Sequence, residues 1–167
     1  MATIEERAKK IKLLAFDVDG VMTDGGLLFT EDGKEIKKYN AKDGQGIANC
    51  IKAGLTVAII TARQNGTVSH RFENLKVQEI HQGIKNKIVK LDELLEKYHL
   101  TYEEVSYMGD DLPDICILEQ VGLATCPSDA VDEVKSKCNF ISSKDGGRGA
   151  VRELTDLIYK NLKKDKQ

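Results

Sequence analysis

The stretch that most constrains this chain is Lys12 to Gly25, KLLAFDVDGVMTDG. Lys12 to Val18 is a nearly unbroken apolar run that meets an acid at its end. Such a run suits a strand buried on both faces. Asp17 and Asp19 stand two apart, so they project to one side of an extended chain. Gly20 then lets the backbone turn sharply. Two carboxylates at the end of a buried strand are costly to hold as charges, and a metal ion offsets that cost. Mg2+ suits them best, because it takes hard oxygen ligands. DxDG by itself serves equally well as a turn, so the weight falls on the rest of the chain.

Residues 1–10 read as a short polar helix. In 26–40, GLLFTEDGKEIKKYN, the Asp32-Gly33 pair signals a hairpin turn between Leu27–Thr30 and Glu35–Tyr39. Asp43–Gly46 reads as a Gly-rich turn and Gly46–Ala53 as a short helix. Leu55–Ile60 is a second buried strand ending in Thr61. A helix over 65–75, a strand over 77–80 and an amphipathic helix over 84–98 follow. Val105–Met108 runs into Gly109-Asp110-Asp111, and Pro113 suits a first helical turn. A helix to about Val121, a strand over 123–125, a helix over 128–135 and a strand over 140–141 come next. The loop Gly146–Gly149 leads to a last helix, Ala150 to about Leu162, and a charged tail, KKDKQ, expected to fray. This order predicts one α/β domain over 1–167, a Rossmann-like three-layer sandwich with a mostly parallel sheet and a projecting β-hairpin.

Composition removes several classes. A net charge of −2 gives no basic surface for nucleic acid or membrane. No apolar run approaches the ~20 residues of a membrane span, and MATIEERAKK lacks the core of a secretory signal. Cys50, Cys116, Cys126 and Cys138 form no metal spacing and read as reduced thiols. The expected compartment is the cytoplasm.

In parallel folds, sites lie at the carboxyl ends of strands. Three strands end there in usable groups: Asp17/Asp19, Thr61 and Asp110/Asp111. Asp17 and Asp110 can hold Mg2+. Lys87, following the third strand, can reach back toward them, and Thr61 offers a hydroxyl. Cation, hydroxyl, amides and metal together stabilise charge on phosphoryl oxygens. One carboxylate can attack phosphorus, and one two residues on can protonate the leaving oxygen and later deprotonate water.

DVDGV, Thr61 after LTVAII, Lys87 and GDDLPD resemble, in combination, the four motifs of the haloacid dehalogenase-like phosphatases. The resemblance implies Asp17 as nucleophile and Asp19 as general acid/base. Thr61 and Lys87 would hold the phosphoryl group. Asp110 and the Asp19 carbonyl would ligate Mg2+, and Asp111 and Asp114 would position metal waters or Lys87. No cap domain fits between the motifs, and an open site needs a large substrate or a neighbour's lid. The hairpin, with Leu27, Leu28, Phe29, Ile36 and Tyr39, carries more apolar surface than a free hairpin should show.

NAKDGQGI, TARQN, HQGIKNK and GGRGAVREL sharpen the resemblance to capless tetramers in which hairpins from different subunits pack together. These relatives hydrolyse an eight-carbon keto sugar acid phosphate. The resemblance implies substrate contacts at Asn40, Ala41, Lys42, Asp43, Gly44, Arg63 and Arg71, besides Asp19 and Lys87. Arg63, Arg71, Lys42 and Arg148 would meet the substrate's carboxylate and phosphate. The family often has Arg where this chain has Lys42, and Gly where it has Ala62. Relatives acting on nine-carbon acids tend to lack the arginines at 63 and 148. A binding module such as a receiver domain would carry its Asp on the third strand, where this chain has none suitably placed.

Overall fold

A computed structural model describes residues 1–164. Of the tail KKDKQ, everything after Lys164 lies outside the described residues. Helix α1 (Ile4–Lys10) is closed by a Thr3–Glu6 capping box and delivers the chain into β1 (Leu13–Phe16). A two-stranded hairpin follows, β2 (Leu28–Phe29) with β3 (Glu35–Ile36). Then come α2 (Ala41–Lys52), β4 (Thr56–Ile60), α3 (Gly66–Asn74), β5 (Glu79–His81) and α4 (Lys87–Tyr98). The second half is β6 (Val105–Met108), α5 (Ile115–Leu118), β7 (Leu123–Cys126), α6 (Asp132–Lys135), β8 (Phe140–Ile141) and α7 (Ala150–Lys164).

Six strands pair in the order β5-β4-β1-β6-β7-β8, every pairing parallel. Strand alternation sorts the core into two layers. Leu14 and Phe16 pack with Ala8, Ile47, Phe72, Leu154 and Ile158, from α1, α2, α3 and α7. Leu13 and Ala15 pack with Leu91, Leu94, Ile117 and Val134, from α4, α5 and α6. The result is the three-layer sandwich that the apolar runs predicted. From β1 the chain winds outward to β5, then returns to β6 and winds the other way. That reversal opens a crevice at the carboxyl ends of β1 and β6. The Phe16↔Met108 register sets Asp17 and the Gly109-Asp110 turn side by side across it.

Of the local expectations, the helix over 128–135 is reduced to α6 because residues 128–130 turn, and two more that bear on the site fail. Asp43–Gly46 is not a turn, because α2 begins at Ala41. The Asn40 side chain accepts from Lys42 N at 2.8 Å and caps it. Gly44 and Gly46 are tolerated within the helix because other side chains press on it. A Cβ at Gly44 would sit 2.2 Å from Arg71 Nη2, and one at Gly46 2.1 Å from the Thr155 hydroxyl. The helix expected from Ile84 starts at Lys87, since Ile84 N donates to Thr61 O at 3.0 Å and is committed to the loop.

Candidate active site

Asp17 leaves β1 with its N–H donating to Met108 O at 3.1 Å, and its Oδ1 accepts from Val18 N at 2.7 Å. Its Oδ2 lies 3.1 Å from Lys87 Nζ. Lys87 is the first residue of α4 and is buried. Its ammonium bridges Asp17 and Asp114, with Asp114 Oδ1 at 2.7 Å. Burial works against the charge on Lys87, but Asp17 and then Asp114 outweigh it and hold the pKa above the ordinary lysine value.

Asp114 has no lone pair to spare. It accepts from Lys87 and from the Tyr107 hydroxyl, both at 2.7 Å, and from the N–H groups of Asp110 (3.0 Å) and Asp111 (3.3 Å). One of its oxygens lies within 4.8 Å of one oxygen each of Asp17 and Asp110, close enough for a shared metal. The filled hydrogen-bond set makes it the holder of Lys87 rather than a ligand. Asp111 is exposed and accepts from Leu112 N, capping the short helical turn that carries Asp114. Tyr107 escapes a sequence reading. The signal was a tyrosine in the middle of a buried strand, whose hydroxyl must find a partner.

Asp110 differs from Asp114. Its Oδ1 is buried without a hydrogen-bond partner. Burial, then repulsion from Asp17, Asp114 and Asp111, pushes its pKa to about 8. Burial and Asp114 raise Asp17 to about 6 despite Lys87. An unpartnered buried carboxylate oxygen facing a second carboxylate is the donor set of a hard divalent cation. Gly20 makes room for it: at φ +83 it turns the loop, and a Cβ there would meet Asp110 Oδ2 at 1.9 Å.

A cleft of about 300 Å³ opens over these groups, lined by Asp17, Asp19, Thr61, Arg63, Lys87 and Asp110. Asp19 borders it and is held from the hairpin: Lys37 Nζ lies 2.5 Å from Asp19 Oδ1 and 3.0 Å from Glu35 Oε1. Arg63 Nη2 closes on Glu35 Oε2 at 2.8 Å, and its Nε stands 3.9 Å from Asp19 Oδ2. Spacing alone singled out neither Lys37 nor Glu35.

The remaining candidates do not line this cleft. Asn40 donates to Gly147 O at 3.3 Å, and Arg71 Nη2 donates to Asn40 O at 3.3 Å. Asp43 is buried and accepts from Arg152 N at 2.9 Å, tying α2 to the start of α7. Gly44 packs under Arg71, while Ala41 and Lys42 are exposed. Arg148 is exposed, 3.8 Å from Asp24 Oδ2. The loop before α7 supports the turn after β1 through its backbone, with Gly147 N donating to Val21 O at 2.9 Å.

The raised carboxyl pKa values carry a sign. An acid whose folded pKa lies above its ordinary 3.8 adds stability below that value and loses it as pH rises through the folded pKa. Chelator-treated protein is therefore expected to melt lower at pH 8 than at pH 5. Added Mg2+ is expected to raise the melting temperature much more at pH 8, since it replaces protons held at low pH. Differential scanning calorimetry at both pH values checks this; equal Mg2+ effects would contradict it.

Comparison with known proteins agrees with the geometry. The profile of haloacid dehalogenase-like hydrolases matches residues 78–154. The chain is 39% identical to 3-deoxy-D-manno-octulosonate 8-phosphate phosphatase KdsC of Escherichia coli K12, over 94% of this chain and 84% of that one. A probable YrbI family phosphatase from Pseudomonas syringae superposes with a TM-score of 0.93 at 45% identity, covering 95% of this chain and 90% of the other. The Moraxella catarrhalis 3-deoxy-D-manno-octulosonate 8-phosphate phosphatase, solved with magnesium ion, phosphate ion and KDO, superposes with a TM-score of 0.94 at 34% identity, covering 96% and 92%. The chain belongs to the haloacid dehalogenase-like hydrolases and, within them, to the 3-deoxy-D-manno-octulosonate 8-phosphate phosphatase family.

Proposed function

We propose that this protein is a Mg2+-dependent phosphomonoesterase that converts 3-deoxy-D-manno-octulosonate 8-phosphate to the free keto sugar acid and phosphate, in the making of lipopolysaccharide precursors. One observation carries the chemistry. A buried carboxylate, Asp17, meets a buried ammonium, Lys87, at 3.1 Å beside the unpartnered oxygen of Asp110.

On this reading, a carboxylate oxygen of Asp17 forms a bond to phosphorus as the bond from phosphorus to the sugar oxygen breaks. Asp19 gives its proton to that departing oxygen. Water then attacks phosphorus and passes a proton to Asp19. The acyl phosphate bond to Asp17 breaks, phosphate leaves, and both acids return to their starting states. Lys87 and Thr61 hold the phosphoryl oxygens throughout. The Asp17 and Asp110 carboxylates and the Asp19 carbonyl would hold Mg2+, which supplies positive charge against the developing oxyanions. Asp114 orients Lys87, and Asp111 fixes the turn that carries Asp114. Arg63 lines the cleft with its Nη2 on Glu35 at 2.8 Å, and its remaining N–H groups would meet the substrate carboxylate.

The whole chain acts as one capless domain in this account, working in the cytoplasm as a homotetramer. Among the described residues, no helix is long and apolar enough to cross a membrane. The hairpin supports assembly. Leu27, Leu28, Phe29 and Ile36 are 45–58% exposed, whereas Tyr39 docks edge-on against Phe72 of its own domain. A neighbour covering that apolar patch would also limit access of water to the cleft. Asn40–Gly44, Arg71 and Arg148 lie outside the cleft of their own chain. Contact between them and substrate therefore belongs to the assembled state.

Asp17→Asn is expected to abolish turnover, by more than about 1,000-fold, while far-UV circular dichroism stays unchanged. Full activity of this variant would remove the aspartyl-phosphate mechanism. Sedimentation velocity is expected to show a tetramer that Phe29→Glu breaks up; a monomeric wild type would remove the assembly proposal.

A further inference from the structure

The hairpin has two faces with different business. Strand alternation turns Ile36 outward, 45% exposed, and sends its neighbours Glu35 and Lys37 toward the cleft. Lys37 sits on a thin projecting element, yet its side chain is only 3% exposed. Its ammonium lies 2.5 Å from Asp19 Oδ1 and 3.0 Å from Glu35 Oε1. Glu35 is fixed in turn by Arg63 at 2.8 Å, while Asn65 Nδ2 donates to the Glu35 carbonyl at 3.3 Å. Two cations and two anions therefore alternate from Asp19 to the start of α3. Their formal charges cancel, so the cluster adds no net charge to the cleft, and Arg63 can meet an anion only through the N–H groups that Glu35 does not occupy. It has the form of a device that fixes geometry.

We propose that Lys37 is a positioning residue for Asp19: it pins the Asp19 carboxyl through Oδ1, leaving Oδ2 as the oxygen that exchanges a proton with the leaving group and with water. This rests on the phosphatase reading above. It makes the hairpin part of its own chain's catalytic centre, besides any part in assembly. Asp19 is attached to a turn, so its side chain has no neighbouring strand to restrict it. A charge-assisted hydrogen bond from a buried, doubly held ammonium supplies that restriction. General acid catalysis depends on such placement, because a proton donor out of reach of the leaving oxygen contributes nothing.

The leaving group provides the test. An alkyl phosphate departs as a basic alkoxide and needs the Asp19 proton, whereas p-nitrophenolate leaves without one. With Mg2+-loaded protein, Lys37→Met is expected to lower kcat/KM for glycerol phosphate by about 100-fold. The loss for p-nitrophenyl phosphate is expected to stay within about threefold, and Lys37→Arg is expected to recover much of the alkyl activity. Equal losses on the two esters, or none, would overturn the positioning role. If Lys37→Met does not fold, Lys37→Gln carries the same comparison. If the wild type hydrolyses neither ester, the comparison runs on 3-deoxy-D-manno-octulosonate 8-phosphate, where a loss below about threefold in Lys37→Met overturns the positioning role; failure of the wild type on that substrate too would instead remove the phosphatase reading, and this inference with it.

Discussion

The structure depends on one buried ammonium. Lys87 stands between Asp17 and Asp114, almost out of solvent, and three separate elements must agree to put it there. The end of β1 supplies Asp17, the first turn of α4 supplies Lys87, and the turn after β6 supplies Asp114. A lysine buried without partners would give up its proton or unfold its surroundings. Two carboxylates hold the charge, and Asp114 is itself held by Tyr107 and two backbone N–H groups. The arrangement keeps a positive charge fixed at the bottom of the cleft, where it would meet the phosphoryl oxygens of the proposed substrate.

That solution leaves a remainder. Asp17, Asp110 and Asp114 crowd together, and Lys87 compensates for only part of their charge. The excess appears as raised pKa values at Asp17 and Asp110 and as a carboxylate oxygen with no partner. A divalent cation resolves all three at once. The acids thus divide by their hydrogen bonds: Asp114, saturated, positions Lys87; Asp110, unsatisfied, is open to metal.

Much of this was legible in the residues. Apolar runs marked the buried strands, and each site acid stood at a strand end, as parallel sheets require. Lys87 was identifiable because it follows a strand end and opens a helix. Other features depended on contacts that sequence spacing does not encode. Gly44 and Gly46 argued for a turn, yet Arg71 and Thr155 need their missing side chains within α2. Asp43, expected to contact substrate, also accepts from Arg152 N at the start of α7, a tie that spacing does not reveal. Lys37 was not singled out, since nothing local shows that a hairpin folds its charged face over Asp19. The split between Asp111 and Asp114 needed a count of hydrogen bonds.

The proposed activity is hydrolysis of an eight-carbon keto sugar acid phosphate, with Arg63 at the rim of the cleft as its proposed carboxylate contact. Its most direct test is phosphate release, with Mg2+ present, from 3-deoxy-D-manno-octulosonate 8-phosphate, a nine-carbon keto acid 9-phosphate and simple hexose phosphates. A clear preference in kcat/KM for the first is expected. Equal or greater activity on the nine-carbon substrate would contradict the assignment of specificity, and no release from any of them would contradict the account as a whole.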